Sequence, residues 1–523
     1  MSRHAIELPI AADRAAAVPL SGQISGQLRA AIASGRLRAG ERLPASRALA
    51  ASLGVSRTVI TAAYAQLYAE GWLDGRHGSG TFVADGVPDH AVAASPVPSG
   101  RAASAPPGHA PAPSKPGHAP APASGQPGHV PAPGQPGHAA APPPSRPSEA
   151  PSVTAASGNS MASAVAAEDV IDLSPGVPWA AGIDPAAWRR AWRAAGAAGP
   201  AGQAGALGLP ALRAGLAAQL RRHRGLLCTP DQILITSGVA SGLRLVATAL
   251  LRPGDAVAVE EPGYEKARAI FTACGARVVP CRADEDGLVI SALPAGARLV
   301  YTTPAHQYPL GGRLPVPRRQ ALIGWARSAG ALIVEDDYDS EFRYDVAPLP
   351  ALAGLAPDLV IHLGTTAKTL TPALGVGWLA ARQDLVTTLA TAGAAAAERT
   401  CEPAQHALAA LLASGDLDRH VRRMSREYAR RRAAIVAALG GLPAPARLLG
   451  GTAGLHVVLE LPPGSAAPVA AAAAARGVRV DTLDHYFAGP PATEGLVLGY
   501  GGASLRQTET ACRALREVVT SII

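Results

Sequence analysis

Lys368 is the residue of this chain whose type and setting most directly suggest covalent chemistry. It lies in the stretch HLGTTAKTLTPALGVGW, residues 362–378, among small and apolar side chains. The chain contains 47 basic residues, and only three of them are lysines. Arginine cannot be deprotonated to act as a nucleophile, whereas a lysine in an apolar setting can lose its proton and form a Schiff base. Chance retention of a lysine in an arginine-rich chain is the alternative.

Other residues with matching chemistry come at the ends of short apolar runs. Asp336, in ALIVEDD, could pair with a protonated ring nitrogen, and Tyr338 could donate a hydrogen bond beside it, while Tyr264, after AVAVEEPG, could stack on a flat ring. The stretch TSGVASGLRL, residues 236–245, is a glycine turn that opens a helix, and such a turn offers N–H groups to a phosphate. With Lys368 these are the parts that a pyridoxal 5'-phosphate (PLP) site requires. The acidic cluster alone would equally fit a magnesium site or a solvated loop.

The elements that must position these residues indicate an α/β domain over residues 169–523. Its strand candidates are QILITSG, AVAVEEPG, ARLVYTTP, ALIVEDD and LVIHLG, and they alternate with helical stretches. Short runs rich in Val, Ile and Leu are typical of a mostly parallel sheet that is covered by helices on both faces. In such sheets ligands bind beyond the carboxyl ends of the strands, so we expect the four features above to meet at one edge.

A smaller unit, residues 17–85, precedes this domain. LSGQISGQLRAAIASGRL has helical spacing, RALAASLG is a short helix that Gly54 stops, and Ser56 is placed to cap the helix RTVITAAYAQLYAEG. Helix, tight turn and helix predict a helix-turn-helix, and GWLDGRHGSGTFV adds two strands with a glycine-rich tip, which is a wing. Nine arginines against six acidic residues over positions 1–85 are consistent with phosphate contact.

Residues 86–168 form a segment of a different composition. Proline, alanine, glycine, serine and histidine dominate it, and units such as PGHAPAP and PGHVPAP recur. A segment with so few core-forming residues is expected to be a disordered linker. Because the sequence neighbours of its repeated histidines supply no second ligand, a spacer is favoured over a metal site.

Composition limits the class of protein further. The formal net charge of +8 permits a polyanionic partner. The five cysteines contain no CxxC pair, so neither a disulfide framework nor a zinc site is indicated, and we predict no metal site. The N-terminus has no apolar signal core and the chain has no long apolar run, so we expect a cytoplasmic protein without a membrane partner.

The stretch LRAGERLPASRALAASLGVSRTVITAAYAQLYAEGWLDGRHGSGTFV strongly resembles the GntR-type winged helix-turn-helix. Its LP-x-SR-x-LA-x-x-LGVSR-T core is specific for that family. The resemblance implies an operator in double-stranded DNA as partner, with the recognition helix in the major groove and the wing tip in the minor groove. The DNA-contacting residues that it implies are Arg47, Ser56, Arg57, Thr58, Thr61, His77 and Gly78.

The larger domain resembles the fold-type I aminotransferases, and in particular those of the MocR/GabR-type regulators. LRPGDAVAVEEPGY, TTPAHQYPLGG, RRQALIGWA, EDDYDSEFRY and GTTAKTL are close to motifs of that subfamily. The resemblance implies PLP bound to Lys368 as an internal aldimine, Asp336 and Tyr338 at the ring nitrogen and hydroxyl, and Tyr264 stacked on the ring. It also implies Ser237, Gly238 and Val239 at the phosphate. Aminotransferase-type domains generally form dimers, so a homodimer is expected.

Three positions depart from the family pattern. Ala367 replaces the serine that usually precedes the lysine, and Gly375 replaces an arginine that normally clamps the phosphate. Val497 stands where aminotransferases carry the arginine for the substrate carboxylate. His306 and Gln307 are both placed near the position of an asparagine that often contacts the ring hydroxyl. We therefore expect weakened PLP binding and a domain that serves sensing rather than turnover.

These observations predict a transcription regulator in which PLP, or its aldimine with an amine or amino-acid effector, modulates operator binding. Two alternatives remain open at this point. One is a regulator whose degenerate domain binds a ligand without PLP, and the other is an active aminotransferase fused to a DNA-binding domain.

Overall fold

The structure is a computed structural model of the 523-residue chain. It describes residues 10–14, 18–34, 36–76, 80–84, 170–199, 205–344, 350–450 and 453–523. The predicted linker, residues 86–168, lies outside the described residues. Within the described ranges, no helix is long and apolar enough to cross a membrane.

The N-terminal unit has the elements that its sequence predicts. They are α1 (Leu20–Ala33), α2 (Ser46–Leu53), α3 (Arg57–Glu70), β1 (Leu73–Arg76) and β2 (Gly80–Val83), and the two strands pair antiparallel. Gly54 ends α2 in the left-handed conformation at φ 62°, which costs glycine little. Ser56 caps α3 by accepting a hydrogen bond from the amide of Val59.

An apolar core and one ion pair hold this winged helix together. Ile24, Ile60 and Leu67 are fully buried at its centre. Arg29 on α1 binds both carboxylate oxygens of Glu70 on α3 at 2.7 and 2.6 Å. A two-point pair of this kind fixes the direction of the guanidinium as well as its position, so α1 and the recognition helix α3 keep a defined angle.

The large domain contains the remaining helices and strands. Its helices are α4 (Pro185–Ala197), α5 (Pro210–Arg224), α6 (Val239–Leu250), α7 (Glu265–Ala273), α8 (Val316–Ala329), α9 (Gln383–Ala395), α10 (Glu402–Ala413), α11 (Asp416–Leu439), α12 (Ala466–Ala474) and α13 (Leu505–Ile522). Its strands are β3 (Ile171–Asp172), β4 (Ile233–Thr236), β5 (Ala256–Glu261), β6 (Arg277–Asp284), β7 (Gly287–Leu288), β8 (Leu299–Thr302), β9 (Leu332–Asp337), β10 (Val360–Thr365), β11 (Gly377–Ala380), β12 (Arg447–Leu449), β13 (His456–Leu461), β14 (Val478–Arg479), β15 (Asp481–Thr482) and β16 (Glu494–Gly499).

The main sheet is mostly parallel, as the apolar runs predict. Its strand order is β4-β11-β10-β9-β8-β5-β6-β7, and the five central strands from β10 to β6 run parallel. The short β11 is antiparallel to both β4 and β10. Separate apolar clusters cover the two faces of the sheet, which agrees with the fully buried residues of β8 and β10.

The C-terminal part has its own four-stranded antiparallel sheet, ordered β12-β13-β16-β15. Helices α11, α12 and α13 share an apolar cluster with it. The short β3 pairs with β14, so the chain that enters the large domain joins this C-terminal part before it reaches the main sheet.

The winged helix packs against the large domain at the start of α8. Val316, the first residue of α8, is buried in the apolar cluster of the winged helix. A Cβ added at Gly71, which follows α3, would lie 3.1 Å from the Cβ of Pro315. Arg313 donates a hydrogen bond to the carbonyl oxygen of Tyr68. The recognition helix and α8 are therefore in direct contact through their ends.

Candidate functional site

The carboxyl ends of the central strands meet at one edge of the main sheet. Leu363 on β10 lies opposite Asp336 on β9, and Thr365 at the end of β10 lies opposite Gly377 on β11. Gly377 in turn lies opposite Thr236, the last residue of β4. The loop that carries Lys368 and the turn that opens α6 therefore leave the sheet at the same edge, as expected for a ligand site of this sheet type.

Lys368 is held at this edge by a residue far away in the chain. Its Nζ donates a hydrogen bond to the carbonyl oxygen of Gly176 at 2.7 Å. Gly176 has a φ of +86°, and a Cβ there would lie only 2.7 Å from the Nζ. Burial lowers the pKa of Lys368, although Asp339 and Asp336 oppose the shift. A larger fraction of this amine is thus free to react near neutral pH than in an exposed lysine.

Asp336 offers a carboxylate oxygen that no group within the described ranges uses. It is 4% exposed, its Oδ2 accepts a hydrogen bond from the hydroxyl of Tyr301 at 2.6 Å, and its buried Oδ1 has no partner among the described residues. Burial, with the charge of Asp337, raises the pKa of Asp336 to about 7, and the hydrogen bond from Tyr301 and the charge of Lys368 offset only part of this shift. A protonated pyridine nitrogen would supply both the missing donor and the missing charge, so this residue fits PLP.

Tyr338 and His306 form a hydrogen-bonded pair beside this carboxylate. The Tyr338 hydroxyl lies 3.0 Å from both the Nδ1 and the carbonyl oxygen of His306. The same Nδ1 lies 3.0 Å from Asp339, and the buried Nε2 of His306 has no partner among the described residues. By contrast, the Gln307 amide donates to the carbonyl oxygens of Pro262 and Tyr308. Of the two residues between which the sequence did not decide, His306 is the one with a free polar atom.

Tyr264 lies on the same side of the sheet as Asp336. Burial, followed by the charge of Asp336, raises the pKa of the Tyr264 phenol. Its ring meets the ring of Tyr308 edge to face, with centroids 6.1 Å apart. One face of a partly buried aromatic ring at this position is suited to a flat cofactor.

The start of α6 is less complete as a phosphate site than its sequence suggests. Gly238 is the N-cap at φ 98° and provides no side-chain cap, so the first N–H groups of the helix are available to an anion. Ser237 is exposed, and its hydroxyl donates to the carbonyl oxygen of Arg399. Val239 is the first residue of the helix. The carboxylate of Glu398 already accepts a hydrogen bond from Ser241 in this first turn, at 2.7 Å.

The three departures from the family pattern have clear structural settings. Gly375 is exposed at φ +62°, and a Cβ there would meet nothing within 4 Å. Val497 is fully buried in an apolar cluster with Val458 and Leu483. Ala367 provides no hydroxyl, and its own amide donates to Thr365. None of the three supplies a charge or a hydroxyl for a phosphate or a substrate carboxylate.

Several groups near the site were missed from the sequence. Gly176 stands in an unremarkable LSPGVP turn. His306, Asp339 and His456 are all buried and each places a potential metal-binding atom within 4.8 Å of the others, but His456 already contacts the carbonyl oxygen of Pro309 through its Nε2. Only the motif TTPAHQYPLGG gave a signal for His306, and no local pattern linked it to His456.

The predicted DNA-contacting residues form an exposed group on the winged helix. Those that the structure describes are Arg47, Ser56, Arg57, Thr58 and Thr61, and all are exposed. The Nε of Arg57 donates to the hydroxyl of Ser46 at 3.4 Å, and the Thr61 hydroxyl donates to the carbonyl oxygen of Arg57. The predicted wing-tip residues His77 and Gly78 lie outside the described residues.

Comparisons with known proteins agree with this two-part organisation. Residues 20–83 match the bacterial regulatory proteins of the gntR family, and residues 168–486 match aminotransferase class I and II. The HTH-type pyridoxine biosynthesis transcriptional regulator PdxR of Corynebacterium glutamicum is 36% identical over 502 residues, which is 95% of each chain. The probable rhizopine catabolism regulatory protein MocR of Rhizobium meliloti is 31% identical over 520 residues, 98% of this chain and 96% of that one.

Solved aminotransferases share the fold of the large domain. A kynurenine aminotransferase of Pyrococcus horikoshii has a TM-score of 0.63 at 25% identity and covers 68% of this chain and 92% of its own. LysN, the α-aminoadipate aminotransferase of Thermus thermophilus, has a TM-score of 0.61 at 26% identity and covers 68% and 93%. The LysN structure contains a phosphopyridoxyl–leucine compound. The aminotransferase fold thus implies PLP as the cofactor of this type of domain.

Proposed function

Because this chain belongs to the MocR-type transcription regulators, which join a GntR-type winged helix to an aminotransferase class I and II domain, we propose that PLP bound to its large domain controls its binding to an operator in double-stranded DNA. A small amine or amino acid that reaches the same site would act as effector. The proposal extends to a homodimer, in which two winged helices read two half-sites of the operator.

The unpartnered Oδ1 of Asp336 is the observation that carries the proposal. It is buried beside Lys368, on the sheet edge where ligands bind in folds of this class. Buried carboxylate oxygens without a partner are rare, and a donor that carries positive charge would complete this one and stabilise its ionised form. A pyridinium ring whose aldehyde faces Lys368 meets both requirements.

Each residue of the site would contact a different part of PLP. When bound, PLP supplies an aldehyde that reacts reversibly with primary amines. Lys368 provides such an amine, and its lowered pKa favours the reactive form. Asp336 would hold the ring nitrogen, Tyr338 the ring hydroxyl and Tyr264 one ring face. Gly238 and Val239, with the exposed Ser237, would hold the phosphate.

A role in sensing rather than turnover is supported by two substitutions. Val497 places an apolar, fully buried side chain where an aminotransferase keeps its carboxylate-binding arginine. Gly375 leaves the expected phosphate clamp without a side chain. A site without the carboxylate anchor would hold an amino acid without the orientation that efficient transamination needs. A site without the phosphate clamp would hold the cofactor less firmly.

The position of α8 supports a direct route from the site to the DNA-binding unit. Its first residue, Val316, is buried in the core of the winged helix, and α8 leads into β9, which ends with Asp336 and Asp337. A shift of β9 when a ring nitrogen binds Asp336 would move α8 and with it the contact to the recognition helix. Coupling of this kind requires that PLP binds the two arrangements with different affinities.

Absorbance and DNA titration test the proposal together. Adding PLP to the purified protein should produce a band above about 400 nm, and Lys368→Ala should lack it. Footprinting the region upstream of its own gene would locate the operator, and PLP should then change the operator affinity of the native chain but not that of Lys368→Ala. No band, or an identical band in the variant, rules out the assignment of Lys368. Repeated turnover of an amino donor and a keto acid would favour an enzyme.

A further inference from the structure

A second cavity, of about 290 Å³, lies away from the proposed cofactor site. Its walls come from α5, α11, β10, β11 and the end of β9, and they include Gln219, Asp337, Glu341, Trp378 and Arg422. Asp336 and Asp337 are consecutive on β9, so their side chains leave opposite faces of the sheet. The volume is close to the lower end of the range for small-molecule sites, roughly 300 Å³.

Besides guanidinium and imidazole nitrogens, the wall of this cavity has four polar atoms without a hydrogen-bond partner among the described residues. Three are acceptors, the Oε1 of Gln219, the Oδ1 of Asp337 and the Oε2 of Glu341, and the fourth is the Nε1–H donor of Trp378. Gln219, Asp337 and Trp378 are only 8%, 7% and 6% exposed. Native interiors contain few such atoms, so a group of them around one cavity indicates a binding site.

Two of these acceptors belong to carboxyl groups, and Arg224 and Arg343 line the same cavity. Asp337 accepts a hydrogen bond from the Nε of Arg224 at 2.6 Å and lies 3.6 Å from His362. Glu341 makes no ion pair with any described residue, and burial followed by the charge of Asp337 raises its pKa to about 8. A buried carboxyl in this state would be ionised by an added cation.

The donor side of the cavity is fixed in position. The Trp378 ring lies directly against the backbone of Gly364, where an added Cβ would come within 2.3 Å of the ring. At the cavity mouth, the exposed Arg422 on α11 lies beside Asp418 and Ser425. An oxygen acceptor on a ligand could therefore accept a hydrogen bond from the indole N–H or the guanidinium. An ammonium group, which has three donors and no acceptor, could donate to the unpartnered oxygens.

We propose that this cavity is a second ligand site, which binds a small primary amine through Gln219, Asp337 and Glu341 and a carboxylate on the same molecule through Trp378 and Arg422. The site is separate from the PLP chemistry, since it lies on the other face of the sheet and contains no lysine among its lining residues. It does not rest on the proposed function and stands if that function fails.

The test uses the full-length Lys368→Ala protein without PLP, in which an amine cannot react at the cofactor site. Three matched probes are titrated, 5-aminopentanoate, pentylamine and pentanoate, and tryptophan fluorescence is recorded. We expect a saturable change that is strongest for 5-aminopentanoate and weakest for pentanoate. Adding Trp378→Phe should remove the signal change, because the reporting indole is then absent.

Two further variants decide whether the cavity is the site. Glu341→Gln keeps the shape and removes the charge, and should weaken 5-aminopentanoate binding at least tenfold by isothermal calorimetry. Ser425→Phe fills the cavity from α11 without touching a buried charge and should abolish binding. No saturable signal up to about 10 mM, ten times the dissociation constant of a millimolar site, would overturn the proposal. Unchanged binding in folded Glu341→Gln and Ser425→Phe would overturn it as well.

Discussion

Replacing Gly375 with arginine should tighten PLP binding, and it should separately lower the stability of the fold. Gly375 is exposed seven residues after Lys368, and a side chain there would start in open space. Its φ of +62° belongs to the left-handed region, which a residue with a Cβ adopts at a cost of about 1–2 kcal/mol. That cost is present with and without cofactor, so it lowers the stability of the fold and cancels from the binding equilibrium.

The gain arises only when the phosphate is bound. One charge-assisted hydrogen bond contributes about 1.5–3 kcal/mol, which corresponds to a roughly 10- to 150-fold lower dissociation constant. Position 375 is exposed, so solvent screens the contact and we expect a value toward the lower end. Gly375→Gln is the control, because it carries the same backbone cost and a neutral N–H donor without the charge.

Absorbance titration with PLP measures the dissociation constant, and thermal unfolding of the cofactor-free proteins measures the cost. Both variants should unfold at a lower temperature than the native chain by a similar amount, and only Gly375→Arg should bind PLP more tightly. No tightening by arginine would show that position 375 does not face the phosphate. Equal tightening by glutamine and arginine would show that the positive charge is not the cause of the gain.

Three other changes have defined outcomes. The pKa of Asp336 is raised to about 7 in the folded state, so the folded state binds more protons than the unfolded state between about pH 4 and 7. The free energy of unfolding should therefore fall with rising pH in this window, by up to about 1.4 kcal/mol per pH unit. Cofactor-free Asp336→Asn, followed by thermal unfolding across this range, should lack that component, and a pH profile identical to that of the native chain would contradict it. Arg57→Ala should weaken operator binding by about 1–3 kcal/mol in a gel-shift titration and leave the PLP absorbance as in the native chain; unaltered affinity would remove Arg57 from the DNA-reading face. Gly176→Ala should displace the Lys368 amine, since its Cβ would lie 2.7 Å from the Nζ, and so slow the appearance of the PLP band; a native rate would show that this contact does not position the amine.

The sequence predicts the central sheet because its strands are short, apolar and separated by helices. The runs ALIVEDD and LVIHLG became β9 and β10, and the acids and the lysine that follow them lie at the expected edge. The position of β11 was not predictable in this way. Its residues GWLA resemble any buried strand, and only pairing with β4 and β10 shows that it runs antiparallel between them.

Long-range contacts explain what the sequence missed at the site. Gly176 binds Lys368 across 192 positions of the chain, and a glycine in a turn gives no local sign of such a partner. The choice between His306 and Gln307 depended on which of the two side chains would be hydrogen-bonded by nearby carbonyl oxygens. For Gln307, one of these oxygens belongs to Pro262, which lies in a separate loop. The second cavity shows the same limitation, since α5, β9 and α11 contribute its walls from distant segments.

The partly buried position of Lys368 has a practical consequence for chemical labelling. The chain has only two other lysines, Lys115 and the exposed Lys266, so amine-reactive reagents meet few competing sites. Because burial lowers the pKa of Lys368, mild acylation near neutral pH should favour its peptide. The extent of labelling, read by mass spectrometry in whole cells, would then report how much of the protein has its site filled, without an operator, a promoter fusion or a purified sample.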